Sequence, residues 1–121
     1  MMRRTLCSIE SGASIATVTI ARGPLHRAVG LLLTNTLPAH EGMWLDNCAA
    51  IHTLGMRYPI DVIFLDRDNR VISTIEQVPP HKLAVTCLKA RVTIELGPGT
   101  LDGVRIERGD HLYLATPSAL P

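Results

Sequence analysis

Residues 51–66 read Ile-His-Thr-Leu-Gly-Met-Arg-Tyr-Pro-Ile-Asp-Val-Ile-Phe-Leu-Asp, with polar side chains beside and inside an apolar, β-branched run. The part Ile60–Leu65 has the composition of a buried β-strand, yet its second residue is Asp61. An unpaired buried charge is energetically expensive, so this carboxylate requires a partner or contact with water. The segment therefore predicts a strand whose first residues carry either a structural anchor or a functional site.

A second strand pattern, Val71–Val78, follows the first after a turn of sequence Asp-Arg-Asp-Asn-Arg. Within that turn, Asn69 tolerates the left-handed conformation that hairpin turns require. Pro79 and Pro80 end the second pattern, because proline cannot donate a hydrogen bond to a neighbouring strand. These features predict an antiparallel hairpin.

Other strand patterns lie on both sides of this hairpin. They consist of alternating or β-branched apolar residues bounded by turn residues, and they occupy residues 5–9, 15–21, 43–45, 48–53, 91–96 and 111–114. Short strands with turn signals every 8–12 residues are typical of sandwiches and barrels. One helix is predicted at residues 24–33, because Pro24 suits a first helical turn and apolar residues recur behind it at helical spacing.

The predicted fold class is mainly β: a compact single-domain β-sandwich or partly open barrel of about seven short strands with one covering helix. The chain has 121 residues, which is enough for one domain, 1–121, with its own core. No internal repeat or linker divides it.

Charge and aromatic content argue against several classes of partner. The 12 lysines and arginines nearly cancel the 11 acidic residues, and neither sign forms a long block. The chain as a whole therefore lacks the electrostatic footprint of a protein that binds nucleic acid or an anionic membrane. With one Trp, two Tyr and one Phe, it also lacks the ring faces on which unpaired bases stack. We expect no nucleic-acid partner.

The predicted location is cytoplasmic, without membrane insertion. Arg3 and Arg4 precede an apolar run, but Glu10 interrupts it after about five residues, short of the roughly 7–15 in a signal peptide. No apolar segment approaches the length of a membrane span. Three cysteines with no C-x-x-C pair suit a reducing compartment and give no zinc motif.

His52 and Asp61 form the strongest candidate pair. They flank the turn at residues 55–59, so flanking segments that run side by side would bring imidazole and carboxylate within hydrogen-bond reach. In the functional interpretation, Asp61 orients His52 as a general base or ligand, and these two are the catalytic candidates. In the structural interpretation, the carboxylate ties down the turn through Thr53, Arg57 or backbone N–H groups.

The predicted ligand-binding set extends from this pair to two aromatic walls. Its members are His52, Thr53, Arg57, Asp61, Trp44 and Tyr58. A metal site built from His52, Asp61 and Met56 with His81 or Cys87 lacks the close Cys or His pairs of zinc sites. We therefore expect no metal and no cofactor.

Two further residues receive structural interpretations. Cys48 lies among apolar neighbours and, on an extended segment, too far from His52 to be its nucleophile, so we predict a small buried hydrophobe. Glu95 alternates with Ile94 and Leu96, which predicts a solvated or salt-bridged carboxylate on the opposite side of its strand.

A series of short motifs runs through the chain in a recognisable order. They are Gly30-Leu31-Leu32, Gly42-Met43, Pro59-Ile60-Asp61-Val62-Ile63-Phe64-Leu65-Asp66, Val71, Pro79-Pro80, Ile94-Glu95-Leu96, Gly99-Thr100 and Gly109-Asp110. In this order they resemble the domain of unknown function 192 family, also catalogued as uncharacterised protein family 0127, over about residues 21–114. The resemblance implies a compact, mainly β domain and no established reaction.

One segment departs from that family's usual pattern. Many members carry a Trp-Met-Lys-Asn-Thr-like run where this chain has His52-Thr53-Leu54-Gly55-Met56. The variant, with its Ile-His-Thr-x-Gly-Met motif, resembles a branch often encoded near secretion or pilus-assembly genes. The resemblance therefore implies an accessory role beside such machinery.

Three hypotheses follow from the sequence. The first is a non-catalytic β domain that binds a small molecule or a protein through the predicted ligand-binding set. The second is a structural module that forms a homodimer through an exposed strand edge. The third, ranked last, is a small hydrolase in which Asp61 orients His52.

Overall fold

The structure, a computed structural model, describes residues 2–21 and 37–116. This part of the chain is built from strands and turns. Its strands are β1 (Arg3–Ser8), β2 (Ser14–Ala21), β3 (Glu41–Asp46), β4 (Ala50–Ile51), β5 (Ile60–Leu65), β6 (Val71–Val78), β7 (Val85–Thr86), β8 (Val92–Leu96) and β9 (Leu112–Ala115).

Seven of these strands form one sheet in the order β6-β5-β8-β3-β2-β1-β9. Strands β2 and β3 are parallel, and every other neighbouring pair is antiparallel. The two outer strands meet at one end, where Arg70 forms an antiparallel bridge with His111. The bridge is flanked by the Val71 N–H donating to the Asp110 carbonyl at 2.8 Å. The sheet is therefore curled into a barrel that is closed at one end of its seam.

The inner side of this barrel holds one apolar cluster, which we call the inner core. It draws buried residues from all seven strands, including Leu6, Val18, Trp44, Ile63, Ile94, Val71 and Leu112. Because side chains alternate along a strand, the residues between these positions point to the outer side of the sheet.

The outer side of the sheet carries a second apolar cluster, the outer core. Met43, Leu45, Val62 and Phe64 contribute from the central strands. They pack under residues of the segments 48–60 and 85–90, such as Met56. Strand β5 is consequently buried along its whole length, which explains its nearly continuous apolar sequence.

The cover over the outer core is a short β-ribbon. Strands β4 and β7 pair antiparallel in the register Ala50↔Thr86 and Ile51↔Val85. The register continues at one end through the Cys87 N–H, which donates to the Ala49 carbonyl at 2.8 Å. We refer to segments 47–59 and 79–91, which contain this pair, as the ribbon layer.

The predicted covering helix is wrong for the described residues, which contain strands and turns but no helix. Residues 24–33, on which that helix was predicted, lie outside the described part. Among the described segments, the ribbon layer covers the outer side of the sheet. It includes strand β7, which the sequence analysis missed because only two residues pair. The mainly β character and the hairpin β5–β6 are as predicted, with Asn69 left-handed at φ 61°.

Candidate functional site

Thr53 joins the two segments of the ribbon layer. Its hydroxyl donates to the Pro79 carbonyl at 2.7 Å and accepts from the Lys82 N–H at 2.8 Å. Its backbone N–H donates to the Lys82 carbonyl at 3.0 Å, and its carbonyl accepts from the His81 N–H at 2.8 Å. The side chain is completely buried. The hydroxyl and backbone groups of Thr53 therefore hydrogen-bond the two segments of the ribbon layer to each other.

His52 and Arg57, on either side of this junction, have exposed side chains. The His52 Nδ1 accepts a hydrogen bond from the Leu54 N–H at 3.2 Å, which closes a local turn. The imidazole therefore lies at the surface, where it can contact solvent or a partner.

Asp61 is completely buried and holds two distant backbone segments. One carboxylate oxygen accepts the Gln77 N–H at 2.9 Å, and the other accepts the Leu101 N–H at 2.9 Å. Gln77 has a positive φ of 54° at the point where the β5–β6 register shifts. Such a bulge leaves an N–H without a ladder partner, and the carboxylate supplies one. Asp61 therefore has the anchoring role of the structural interpretation. It holds the backbone at Gln77 and Leu101, however, and not the turn at residues 55–59.

The structure does not bring His52 and Asp61 together. One side chain is exposed, and the other is enclosed with both carboxylate oxygens bonded to backbone amides. A base oriented by this carboxylate requires an imidazole N–H in one of those positions. The hydrolase arrangement considered from the sequence is therefore absent from these two residues.

Trp44 and Tyr58 lie on opposite sides of the sheet. The Trp44 indole belongs to the inner core, and its Nε1 donates to an Asp46 carboxylate oxygen at 2.8 Å. Tyr58 packs against the outer core. The two rings therefore cannot form facing walls of one pocket, and the predicted ligand-binding set is dispersed.

Cys48 is buried, as predicted, and its thiol donates to the Ala50 carbonyl at 3.2 Å. Cys7 and Cys87 are also unpaired thiols. Within residues 2–21 and 37–116, no three His, Cys, Asp or Glu side chains are grouped so that they could hold a metal ion.

Glu95 differs most from its prediction, because it is only 9% exposed rather than solvated. It is the next-to-last residue of β8, paired with Met43 on one side and Val62 on the other. Burial raises the pKa of its carboxyl from 4.5 to about 7. An acid of this kind, on the side of the sheet that the ribbon layer covers, is a candidate for binding or proton transfer.

The Glu95 carboxyl makes no hydrogen bond or ion pair within the described part of the chain. No fully enclosed oxygen or nitrogen of the described side chains lacks a hydrogen-bond partner. The unpartnered carboxyl oxygens therefore keep some contact with solvent.

The surroundings of Glu95 are apolar with one polar exception on its own strand. Met43 and Val62 flank it across the sheet, and Thr93, two residues earlier, donates its hydroxyl to the Cys48 carbonyl at 2.8 Å. The nearest charged side chain along β3 is Glu41, which is paired with Arg3 at 3.3 Å. No described cation is therefore paired with the Glu95 carboxyl.

Sequence reasoning missed Glu95 because alternation along β8 identifies its side of the strand but not what covers that side. A signal was present in β5, whose apolar residues occupy both of its sides. A strand of that kind is covered on both faces, and so are the neighbouring positions of its partner strands.

Within the described residues, no helix has the length and apolar character needed to cross a membrane.

Comparisons with known proteins extend these findings. No curated protein matches the sequence. Two solved structures share the fold, and at 22% identity their likeness shows the fold alone.

The first of these structures is a candidate transcription regulator from Sinorhizobium meliloti 1021, with a TM-score of 0.81 over 93% of this chain and 94% of that one. The second is a protein of unknown function from Novosphingobium aromaticivorans DSM 12444, with a TM-score of 0.75 over 93% of this chain and 84% of that one. The sequence also matches the profile of the DUF192 family, described as an uncharacterized ACR, over residues 7–114. The chain belongs to this family.

Proposed function

We propose that this domain binds an organic cation with an apolar body, and that the Glu95 carboxyl receives the positively charged group. The observation that carries the proposal is a buried carboxyl with no partner in the described part of the chain and with contact to solvent. Ionising such a group without a partner is costly. A cation arriving from solvent supplies the missing partner and favours the ionised form.

The apolar side chains around Glu95 support the second half of the proposal. Met43 and Val62 flank the carboxyl directly, and Leu45 and Phe64 follow on the same side of the sheet. A ligand with a hydrocarbon portion would contact these residues, while its charged end reaches the single acid. A lysine or arginine side chain of a protein partner has the same chemistry as a small amine.

Proton transfer is the second candidate, because a carboxyl pKa of about 7 suits general acid–base chemistry. Binding is preferred since the other acid–base candidates do not reach this group. His52 is exposed, and both Asp61 oxygens are bonded to backbone amides. In the described part of the chain, Glu95 thus has no second reacting group to work with.

The branch resemblance supports an accessory role beside secretion or pilus-assembly machinery, in which the cationic group would belong to a small molecule or to a protein partner. This wider role depends on the binding proposal. It would be pursued only once binding to the Glu95 carboxyl has been measured.

The test is a thermal-shift titration at pH 8 with alkylammonium ions from butyl to octyl, each compared with the alcohol of the same chain length. We expect the ammonium ions to raise the melting temperature of the wild type, and the alcohols to have little effect. In a ¹³C NMR titration, a bound ammonium ion should move the Glu95 midpoint below about 7.

Glu95→Gln should abolish the ammonium effect while keeping the shape of the side chain. Glu76→Gln is the matched control, because Glu76 is exposed on β6. Equal melting shifts in wild type and Glu95→Gln would overturn the proposal. So would a Glu95 titration midpoint that does not change at saturating octylammonium.

A further inference from the structure

The ribbon layer has a charge composition unlike that of the whole chain. Segments 47–59 and 79–91 contain Arg57, Lys82, Lys89 and Arg91, which are four of the chain's 12 basic residues. None of its 11 acidic residues lies in these segments. All four basic residues are exposed. The near-neutral total therefore conceals a basic layer on one side of the molecule.

The same layer exposes aliphatic side chains. Leu83 is 79% exposed, Leu88 is 92% exposed and Leu54 is 40% exposed. Two of them are adjacent in sequence to a lysine, in the pairs Lys82-Leu83 and Leu88-Lys89. A large aliphatic side chain left almost entirely in water gives up the free energy that its burial would release.

The pairing of β4 with β7 explains how the layer divides its residues. Ile51 and Val85 are paired and point toward the outer core, whereas the paired Ala50 and Thr86 are exposed on the opposite face. Leu88 and Lys89 form the turn directly after β7, which is closed by the Ala90 N–H donating to the Cys87 carbonyl at 2.9 Å, and the pair Lys82-Leu83 precedes β7 with one residue between them. The paired residues exposed on β4 and β7 are therefore small, and an exposed lysine–leucine pair lies at each end of the β7 segment.

We propose that the exposed face of the ribbon layer docks on the surface of an anionic lipid bilayer. The basic side chains match the negative charge of the headgroups, and the projecting leucines enter the boundary between headgroups and acyl chains. This mode of association is peripheral and involves no spanning segment. It is independent of the cation site, because Glu95 lies on the sheet beneath the layer.

The form of the leucines favours lipid over a polypeptide or nucleic acid. A protein partner that buries two projecting leucines must offer a pocket for each, whereas the acyl region of a bilayer deforms around them. Duplex DNA presents hydrogen-bond donors and acceptors in its grooves, and an aliphatic side chain contributes little to recognition at most positions. Lipid alone uses both features of the face without a shaped partner.

The test is co-sedimentation of the full chain with phosphatidylcholine vesicles, with and without about one third phosphatidylglycerol. We expect binding to the anionic vesicles, weakened by added salt because of screening. The double variant Leu83→Ser, Leu88→Ser should bind at least about tenfold more weakly. Lys82→Gln and Lys89→Gln should each reduce binding about fivefold.

Matched controls distinguish binding through the ribbon layer from nonspecific adsorption to vesicles. Ile9→Ser removes an exposed aliphatic side chain from the β1–β2 turn, far along the chain from the ribbon layer, and should leave vesicle binding unchanged. Arg67→Gln and Arg108→Gln remove equal charge from other exposed loops. Glu95→Gln should also bind vesicles normally, which keeps failure of this proposal distinct from failure of the cation site.

Three outcomes would overturn the proposal. The first is no binding to anionic vesicles at low salt. The second is binding that survives the double leucine variant. The third is tighter binding to a DNA duplex or to polyglutamate than to vesicles, with no effect of the leucine changes, which would identify the basic residues as a site for a polyanion.

Discussion

Asp61 and Glu95 are carboxyl groups at almost the same level of the barrel, yet their surroundings differ completely. In the β5–β8 pairing, Asp61 lies opposite Leu96, and the next pair is Val62 with Glu95. One carboxylate receives two backbone N–H groups, and the other has no partner in the described part of the chain. Burial alone therefore does not define the role of an acid, because its hydrogen-bond partners decide whether it stabilises the fold or remains available.

Among the changes considered, replacing the anchoring residue Asp61 should lower the free energy of unfolding the most. Asp61→Ala leaves the Gln77 and Leu101 N–H groups without their acceptor inside the protein. Hydrogen bonds to a charged acceptor are strong, and a buried orphan donor is costly, so we expect a loss of about 3–5 kcal/mol. Urea unfolding measures this change. Asp68→Ala, an exposed position in the β5–β6 turn, is the control and should change stability little.

Replacing Glu95 should change the free energy of unfolding in the opposite direction from replacing Asp61, because it removes a buried carboxyl that has no partner in the described part of the chain. Its pKa in the folded state, about 7, exceeds the ordinary value of 4.5, so the folded state binds the proton more tightly. Stability from this group is complete below pH 4.5 and is lost as the pH rises toward 7. We expect Glu95→Gln to stabilise the protein by about 2–3 kcal/mol at pH 8 and to have little effect at pH 4.

The measurement is the free energy of unfolding between pH 4 and pH 8 for wild type, Glu95→Gln and Glu76→Gln. Other groups titrate equally in all three proteins, so their contribution cancels in the differences. A difference between wild type and Glu95→Gln that does not vary with pH would contradict a carboxyl that is both desolvated and without a partner.

A buried neutral group provides an intermediate case. Thr53→Val keeps the side-chain volume but removes the acceptor of the Lys82 N–H and the donor to the Pro79 carbonyl. We expect a loss of about 1–3 kcal/mol and faster proteolysis within the ribbon layer. A Ser substitution retains the hydroxyl and should recover most of the loss. If Thr53→Ser were as unstable as Thr53→Val, packing of the methyl group would outweigh the hydrogen bonds.

The smallest effect is expected at His52, whose ring is exposed and accepts one local hydrogen bond from Leu54. His52→Ala should change the free energy of unfolding by less than about 0.5 kcal/mol. A larger loss would mean that the ring packs onto the layer more than its exposure indicates. The comparison with Asp61 then tests whether the two act independently, because distant residues should give additive effects in a double variant.

Much of this architecture was predictable from local sequence. The bounds of β5 and β6 agree with their hairpin pattern, since alternation, turn residues and two prolines act within a few positions of one another. Requiring a partner for Asp61 was also correct, because the cost of a buried charge does not depend on knowing the fold. Its two donors, 16 and 40 residues away, were beyond the reach of any local pattern.

Local sequence patterns were enough to predict the mainly β class, the central hairpin and the need to satisfy one buried acid. These follow from backbone geometry, side-chain periodicity and desolvation, which act locally. The packing of the ribbon layer on the outer side of the sheet, the burial of Glu95 and the exposure of the basic residues of the ribbon layer became known only from the three-dimensional arrangement. Burial and surface charge depend on which distant segments pack together, and alternation along one strand carries no information about those segments.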